Sequence, residues 1–413
     1  MVVRNLPKID QINYSKTIFI TLSVHPIFAQ KQTLRISNFL AYHSKQFFGL
    51  GDSLRSANKG TSKFNIKYDT VNSASSLAFN YDGYNNFTLD RSYFQYTKGI
   101  ATYGVGKVNR QWSFSDNTSL VLSNNARPIA SIYLKLKNKF GYDWLPSKAN
   151  WSLDVFNGLT EGSLNGSKSM LLGLRAILSP VEGLDFELIQ TSQWGGNGYN
   201  NGISSLGSVL FFDTNDSSNS NINKMAGFGI SYSIPSEIVP LRIYGQAIGE
   251  DEAGNLPSCY TYLAGIEWSN TKIKYPTTVG IESIDTRIDT TEHGFCGPNT
   301  MYNNNTYDYT NHGKTMGAAI DTEGTSIALY ARSQISQKMT IKFATKSIVI
   351  NDNNWLGHRL SSKRQLGLIN SLSFSWVNNN TSFNGVFYNQ GFNLDRADIK
   401  SGFGIGLSSS ITF

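Results

Sequence analysis

Along most of this chain apolar side chains recur at every second position. The closing segment carries Phe403, Ile405, Leu407, Ile411 and Phe413 on one face of an extended chain, and only Gly, Ser or Thr on the other. A strand alternates its side chains between two faces, so such a segment separates an apolar medium from a polar one. The same pattern appears where Ile132, Leu134 and Leu136 alternate with Tyr133, Lys135 and Lys137, and where Met339, Ile341 and Phe343 alternate with Thr340, Lys342 and Ala344. Leu172, Leu174, Ala176 and Leu178 precede a second alternating run of Leu184, Phe186 and Leu188, whose intervening positions bring Arg175 near Asp185 and Glu187. Charges at alternate positions belong on the water side, because an Arg or Lys facing lipid costs about 2–4 kcal/mol at the bilayer midplane.

About eighteen such segments are predicted. They lie near 33–43, 62–69, 75–81, 87–97, 100–108, 130–138, 149–158, 168–178, 183–193, 223–233, 239–248, 258–269, 276–286, 326–334, 338–348, 366–376, 381–389 and 402–412. Counted back from the C-terminus, long gaps alternate with short ones. Gaps 390–401, 349–365, 287–325, 249–257, 194–222, 159–167, 109–129, 82–86 and 44–61 fall on one side, and all those on the other side but 139–148 are short. Long external loops and short periplasmic turns are the signature of an outer-membrane barrel; a soluble β-sandwich or β-helix has no reason to keep this parity. The expected fold class is therefore all-β, a transmembrane antiparallel β-barrel of about eighteen strands with its lumen occluded by external loops.

Composition sharpens this picture. Aromatics make up 13% of the 413 residues, most of them Tyr and Phe. No apolar run reaches the roughly 18 residues that a membrane-spanning helix needs, so any spans are strands. Arg4, Lys8 and Lys16 precede the apolar run Thr17–Ala29, which has the layout of a secretory signal over 1–29, leaving 30–413 as the barrel. The net charge of +7 is scattered along alternating strands and not gathered on one helix or arm, which argues against nucleic acid. A basic interior attracts anionic solutes or acidic polymers instead.

Candidate chemistry is sparse. The chain has five His and no HExxH, GxSxG, P-loop or CxxC arrangement, so no metal, cofactor or enzymatic activity is expected. The nearest approach to a hydrolase is His358 beside Ser361 and Ser362, with nothing to orient it. Cys259 and Cys296, the two cysteines, fall on the same external rim, where a disulfide would tie down the long 287–325 loop and two thiols are the alternative. The loop 109–128 gathers Trp112, Asn124, Asn125 and Arg127: a flat apolar surface beside amide and guanidinium donors, which suits sugar rings and their carboxylates. The same residues equally suit a loop locked into the lumen. Glu250, Asp251 and Glu252 put three carboxylates on an adjacent rim, either to bind a cation or to pair with Arg110 and Arg127 and hold a plug. Trp194, followed by two Gly, reads as an interfacial anchor.

The runs Leu120–Pro128, Ala247–Gly254 and Pro298–His312 together resemble the capsule-assembly Wzi family. That resemblance implies an eighteen-stranded outer-membrane barrel, blocked by loops, acting as a lectin that retains capsular polysaccharide. There are two departures from the pattern. The family carries a periplasmic helical bundle ahead of the barrel, for which residues 30–61 are too short; its Trp- and Gly-rich approach to the Ser-Asn-Asn-Ala-Arg-Pro run appears here as Gln111-Trp112-Ser113-Phe114-Ser115. The expected function is noncovalent binding and attachment of an acidic surface polysaccharide by a monomer held in outer-membrane lipid, with Trp112 stacking, Arg127 pairing with a carboxylate, and Asn124 and Asn125 hydrogen bonding. The alternative is a diffusion porin whose lumenal Lys135, Lys137, Lys342 and Lys346 favour anions.

Overall fold

The structure is a computed structural model and describes residues 32–46, 48, 60–82, 86–139, 149–161, 168–196, 202, 209, 222–235, 239–253, 256–288, 297–304 and 306–413. The leader expected over 1–29 and Cys296 lie outside the described residues, as do the side chains of Asp251 and Glu252.

Eighteen antiparallel strands form the wall. The first nine are β1 (Thr33–His43), β2 (Thr61–Asp69), β3 (Ser73–Tyr81), β4 (Tyr93–Lys98), β5 (Ala101–Lys107), β6 (Ala130–Lys139), β7 (Asn150–Leu159), β8 (Met170–Val181) and β9 (Leu184–Trp194). They are followed by β10 (Asn223–Ser233), β11 (Leu241–Ala253), β12 (Leu256–Asn270), β13 (Thr277–Asp285), β14 (Thr325–Ser336), β15 (Met339–Ile350), β16 (Gln365–Asn378), β17 (Thr381–Gln390) and β18 (Gly402–Thr412). Each strand pairs with its neighbours in sequence, and β1 pairs with β18 from Ser37↔Thr412 to His43↔Gly406, so the sheet closes with no free edge. Closure satisfies every ladder group within the wall, which a chain crossing lipid requires.

The alternation is the one expected. On the outer face Ile132, Leu188, Leu366, Leu372 and Phe403 are all more than 45% exposed, a pattern that only lipid reconciles with their apolarity. Connections such as 99–100, 182–183, 337–338 and 379–380 are two-residue turns at one end, which places the long connections outside the cell. Near the short-turn end Trp151, Trp268 and Trp376 sit opposite Leu178, Val279 and Phe383, all three of which face outward. They form the periplasmic side of an aromatic girdle.

Two departures from the expected segments have local causes. The predicted strand 87–97 is broken: after Phe87–Thr88 the chain turns at Arg91 (φ 71°) and resumes as β4. The turn carries Asp90 inward to 2% exposure, where its carbonyl accepts from the Asn80 amide at 2.9 Å. The expected loop 249–257 is largely strand, because β11 and β12 continue to pair through Asp251↔Ser258, Glu252↔Pro257 and Ala253↔Leu256. The acidic run therefore lies on the paired ends of β11 and β12 and not in an open loop.

The interior is filled by two external connections that turn inward. Residues 108–129, between β5 and β6, and the described part of the connection between β13 and β14 supply the apolar core: Trp112, Leu120, Val121, Met301, Tyr302, Tyr309 and Met316 are each 2% exposed or less. Gly173 on β8 lies where the first of these inserts meets the wall. A Cβ there would fall 2.2 Å from the Phe156 ring and 2.8 Å from Trp112. Gly173→Val is expected to destabilise the packed interior by about 1–3 kcal/mol, as overpacking does, measured as a lower urea midpoint in detergent micelles.

Candidate functional site

The first insert is held from three sides. Its Trp112 carbonyl accepts from Ser119 Oγ at 2.7 Å and from Gln246 Nε2 at 2.8 Å, while the Leu120 N–H donates to Gln246 Oε1 at 3.1 Å. Arg175 and Arg242 donate to the Ser113 and Phe114 carbonyls at 3.2 and 2.8 Å. Each arginine is itself paired on the wall, Arg175 with Glu187 and Arg242 with Glu267. The Arg175 pair fulfils half of the expected juxtaposition; Asp185 is engaged by the Ser179 hydroxyl instead. At the tip of the insert Asn117 accepts from Lys342 Nζ at 3.2 Å, and Ser115 donates to Glu282, which Tyr244 also approaches at 2.8 Å.

The second insert packs on the first. Tyr302 donates to the Leu120 carbonyl at 2.6 Å and stacks on Tyr309 with ring centroids 5.8 Å apart. The Ser123 N–H donates to the Met316 carbonyl at 2.8 Å, and Asn125 Nδ2 to the Thr315 carbonyl at 2.8 Å. Burial pushes the Tyr302 hydroxyl well above its ordinary pKa, so it stays a donor at any physiological pH.

Against this frame the residues expected to hold sugar separate. Trp112 is 2% exposed and packs edge-on against Phe156 at 5.4 Å, so no face of its ring is open for stacking. Arg127 is forked onto the Asp90 carboxylate at 2.6 and 3.0 Å and approaches His312 Nδ1 at 3.4 Å. A guanidinium already bidentate to a buried carboxylate has little left for a sugar acid. Asn124 and Asn125 line a lumenal cavity of about 340 Å³ together with Gln111, Asn117, Lys342 and Lys346. This brings two of the amides together with two of the lysines on which the porin alternative rested. Lys135 pairs with Asp154 at 3.7 Å, and Lys137 is exposed.

Of the expected plug pairing, the Asp251 and Glu252 side chains lie outside the described residues, and the described contacts of Arg110 and Arg127 are with other groups. Arg110 lies over the Phe156 ring at 3.9 Å and donates to Ser131 Oγ at 2.8 Å; burial lowers its pKa to about 10, which keeps it charged. Glu250 accepts from the Tyr302 N–H at 3.2 Å, so it holds the second insert by another route. Cys259 is disulfide-bonded and 6% exposed, at a left-handed position (φ 56°) where the β11–β12 ladder skips a pair opposite Glu250. Trp194 is 4% exposed and packs with Leu172 and Val209, so it is covered and does not anchor the lipid interface.

His358 is fully buried, its Nε2 lies 3.0 Å from the Thr322 carbonyl, and its Nδ1 accepts from the Leu360 N–H at 3.1 Å. Ser361 and Ser362 donate elsewhere, to the Lys363 carbonyl and to Asp395. Both ring nitrogens serve the loop's backbone, so this His is no general base for a neighbouring serine. Its neighbour Arg359 donates to Asp321 at 2.7 Å and locks the 351–364 loop onto the second insert. Burial pushes the Asp321 carboxyl up, but Arg359 outweighs it and holds the group below its ordinary range.

The profile of the family described as "Capsule assembly protein Wzi" matches residues 22–380. This chain belongs to that family. A solved structure of Wzi from Escherichia coli, described as an outer-membrane protein involved in group 1 capsule assembly and a carbohydrate-binding β-barrel, is similar at a TM-score of 0.76 and 20% identity, covering 92% of this chain and 84% of that one. OccD3 from Pseudomonas aeruginosa is similar at a TM-score of 0.53 and 10% identity, covering 92% and 91%. A protein of 55.8 kDa from the cps region of Klebsiella pneumoniae is 26% identical over 188 residues, which span 45% of this chain and 37% of that relative. The fold shared with the Wzi structure is thus an outer-membrane barrel, and the inward inserts are what this Wzi-family chain places in its lumen.

Sequence reasoning missed Trp355. It lies in the external 351–364 loop, partly buried, and it has no periodic neighbours that would single it out. A tryptophan off any strand, between Asn353, Asn354 and the pair Lys363 and Arg364, was the available signal.

Proposed function

We propose that this Wzi-family chain is a monomeric outer-membrane lectin that binds an acidic capsular or other surface polysaccharide noncovalently and helps attach it to the cell. The observation that carries this reading is the closed lumen: two inserts hydrogen-bonded to the wall and to one another turn the external end into a surface where a pore would have an opening. The carbohydrate-binding description of the Escherichia coli relative and the net charge of +7 support it further. Asn124 and Asn125 remain in the proposal as lumen-lining amides, whereas Trp112, Arg127 and Arg110 are assigned to holding the plug.

The test is binding of the purified protein to polysaccharide extracted from the surface of the source cells. Retention that weakens with salt is expected, since part of the attraction is between an acidic polymer and exposed cations. Absence of retention, together with stable open-channel conductance of the unmodified protein in planar bilayers, would replace the lectin by the anion-favouring porin.

A further inference from the structure

Six tryptophans are described, and five have evident structural places. Trp151, Trp268 and Trp376 belong to the periplasmic girdle, and Trp112 and Trp194 are buried. The sixth, Trp355, is partly buried on an external loop, next to Leu356 at 72% exposure. Its position is built with care. The Asn351 side chain, fully buried, accepts from the Trp355 N–H at 2.7 Å and donates to the Trp355 carbonyl at 2.9 Å and the Ser361 carbonyl at 3.0 Å. The indole rests against Gly357, where a Cβ would fall 2.3 Å from the ring. Asn351 and Asn354 both adopt left-handed backbone (φ 55° and 58°), a conformation that costs energy and persists where the surroundings impose it.

Around this aromatic facet the charges are unevenly satisfied. Asp352 is shared between Arg287 at 3.0 Å and Arg364 at 2.6 Å. Asp395 accepts from both the Ser362 hydroxyl and N–H, bonds that hold its pKa down to about 2. The side chains of Lys363 and Arg396, both exposed, make no hydrogen bond or ion pair among the described residues. Their backbone is tied to the same loop: Arg364, next to Lys363, donates its N–H to Asn354 Oδ1 at 2.9 Å, and the Arg396 N–H donates to the Leu360 carbonyl at 3.3 Å.

A rigid, partly open indole beside exposed amides and uncommitted cations is complementary to a pyranose ring that bears a carboxylate. We propose that the 351–364 loop, with Trp355 as stacking surface and Lys363 and Arg396 as carboxylate partners, is a subsite for an acidic sugar residue of the polymer. This rests on the lectin reading and names a place for it on the outer surface.

The probe is polysaccharide extracted from the source cells, compared with the same material after chemical reduction of its carboxyl groups to alcohols. Wild-type protein is expected to bind the reduced polymer roughly tenfold more weakly than the native one, and a Lys363→Ser, Arg396→Ser variant to lose that difference. Trp355→Ala should lower affinity for both polymers by roughly tenfold, with Trp355→Phe recovering most of it. Wild-type protein that binds neither polymer overturns the lectin reading and the subsite with it. Wild-type protein that binds while all three variants match it overturns the subsite alone. Lys363 and Arg396 are exposed and Trp355 lies in a loop off the wall, so the variants are expected to leave the barrel intact, which an unchanged urea midpoint in micelles verifies.

Discussion

Arg359→Met is expected to release the second insert from the 351–364 loop. The Arg359 and Asp321 side chains are 8% and 1% exposed, so the substitution strands a carboxylate whose ion pair among the described residues is with Arg359. Breaking a buried pair from one side costs about 3–5 kcal/mol, most of it the penalty of an uncompensated charge. The wall does not depend on this pair, since every strand is laddered to its neighbours independently of it. Hydrogen exchange should therefore accelerate across 306–324 and 351–364 while the barrel strands keep their protection. Adding Asp321→Leu to the same chain should restore much of the loss, because it removes the stranded charge. Equal protection in wild type and Arg359→Met would show that the fork contributes nothing to the closed state.

Replacing residues 111–126 by a short Gly/Ser turn should convert a closed barrel into a conducting one. The cut is permissible because Lys107 pairs directly with Ala130, so β5 and β6 need only a short connection to remain a hairpin. What leaves with the insert is the body of the lumenal core: Trp112, Leu120, Val121 and Leu122, and the groups that occupy Gln246, Arg175 and Arg242. Near-baseline conductance in planar bilayers for the intact chain and a stable open level for the shortened one is the expected result. Lys135, Lys137, Lys342 and Lys346 on the exposed wall should then bias the current toward anions. A shortened chain that stays closed would mean the second insert seals the lumen unaided.

The wall was legible in the sequence because lipid outside and water inside impose a strict two-residue period, and because loop length alternates between the two ends. Phe403 to Phe413 and Met339 to Phe343 could hardly be read otherwise. The interior was not legible to the same degree. A polar loop with a Trp, such as 109–128, satisfies the pattern equally well whether it reaches outward or folds back, and only the partners across the barrel decide. Those partners, Gln246 for Trp112 and Asp90 for Arg127, are 134 and 37 residues away. The outcome shifted the assignment: Trp112, the aromatic that looked available, is buried, and Trp355, which carried no pattern, is only partly buried. The hairpin at Glu250 was lost for a related reason, since three adjacent carboxylates suppress a strand signal that Asp251↔Ser258 and Ala253↔Leu256 nevertheless realise.

The contact between the inserts has a consequence for the order of events when the protein is made. Tyr302 and Leu120 are 182 residues apart, and Ser123 and Gly317 are 194 apart, yet they meet at the centre of the lumen. The strands carrying the two inserts stand on separate arcs of the wall, β5–β6 on one and β13–β14 on the other. Neither arc can present its insert to the other until the intervening strands have been laid down, so sealing trails construction. A chain whose wall closes first would stand in the membrane as an unsealed cylinder until Tyr302 docks on the Leu120 carbonyl, so the speed of that docking would set how long it leaks.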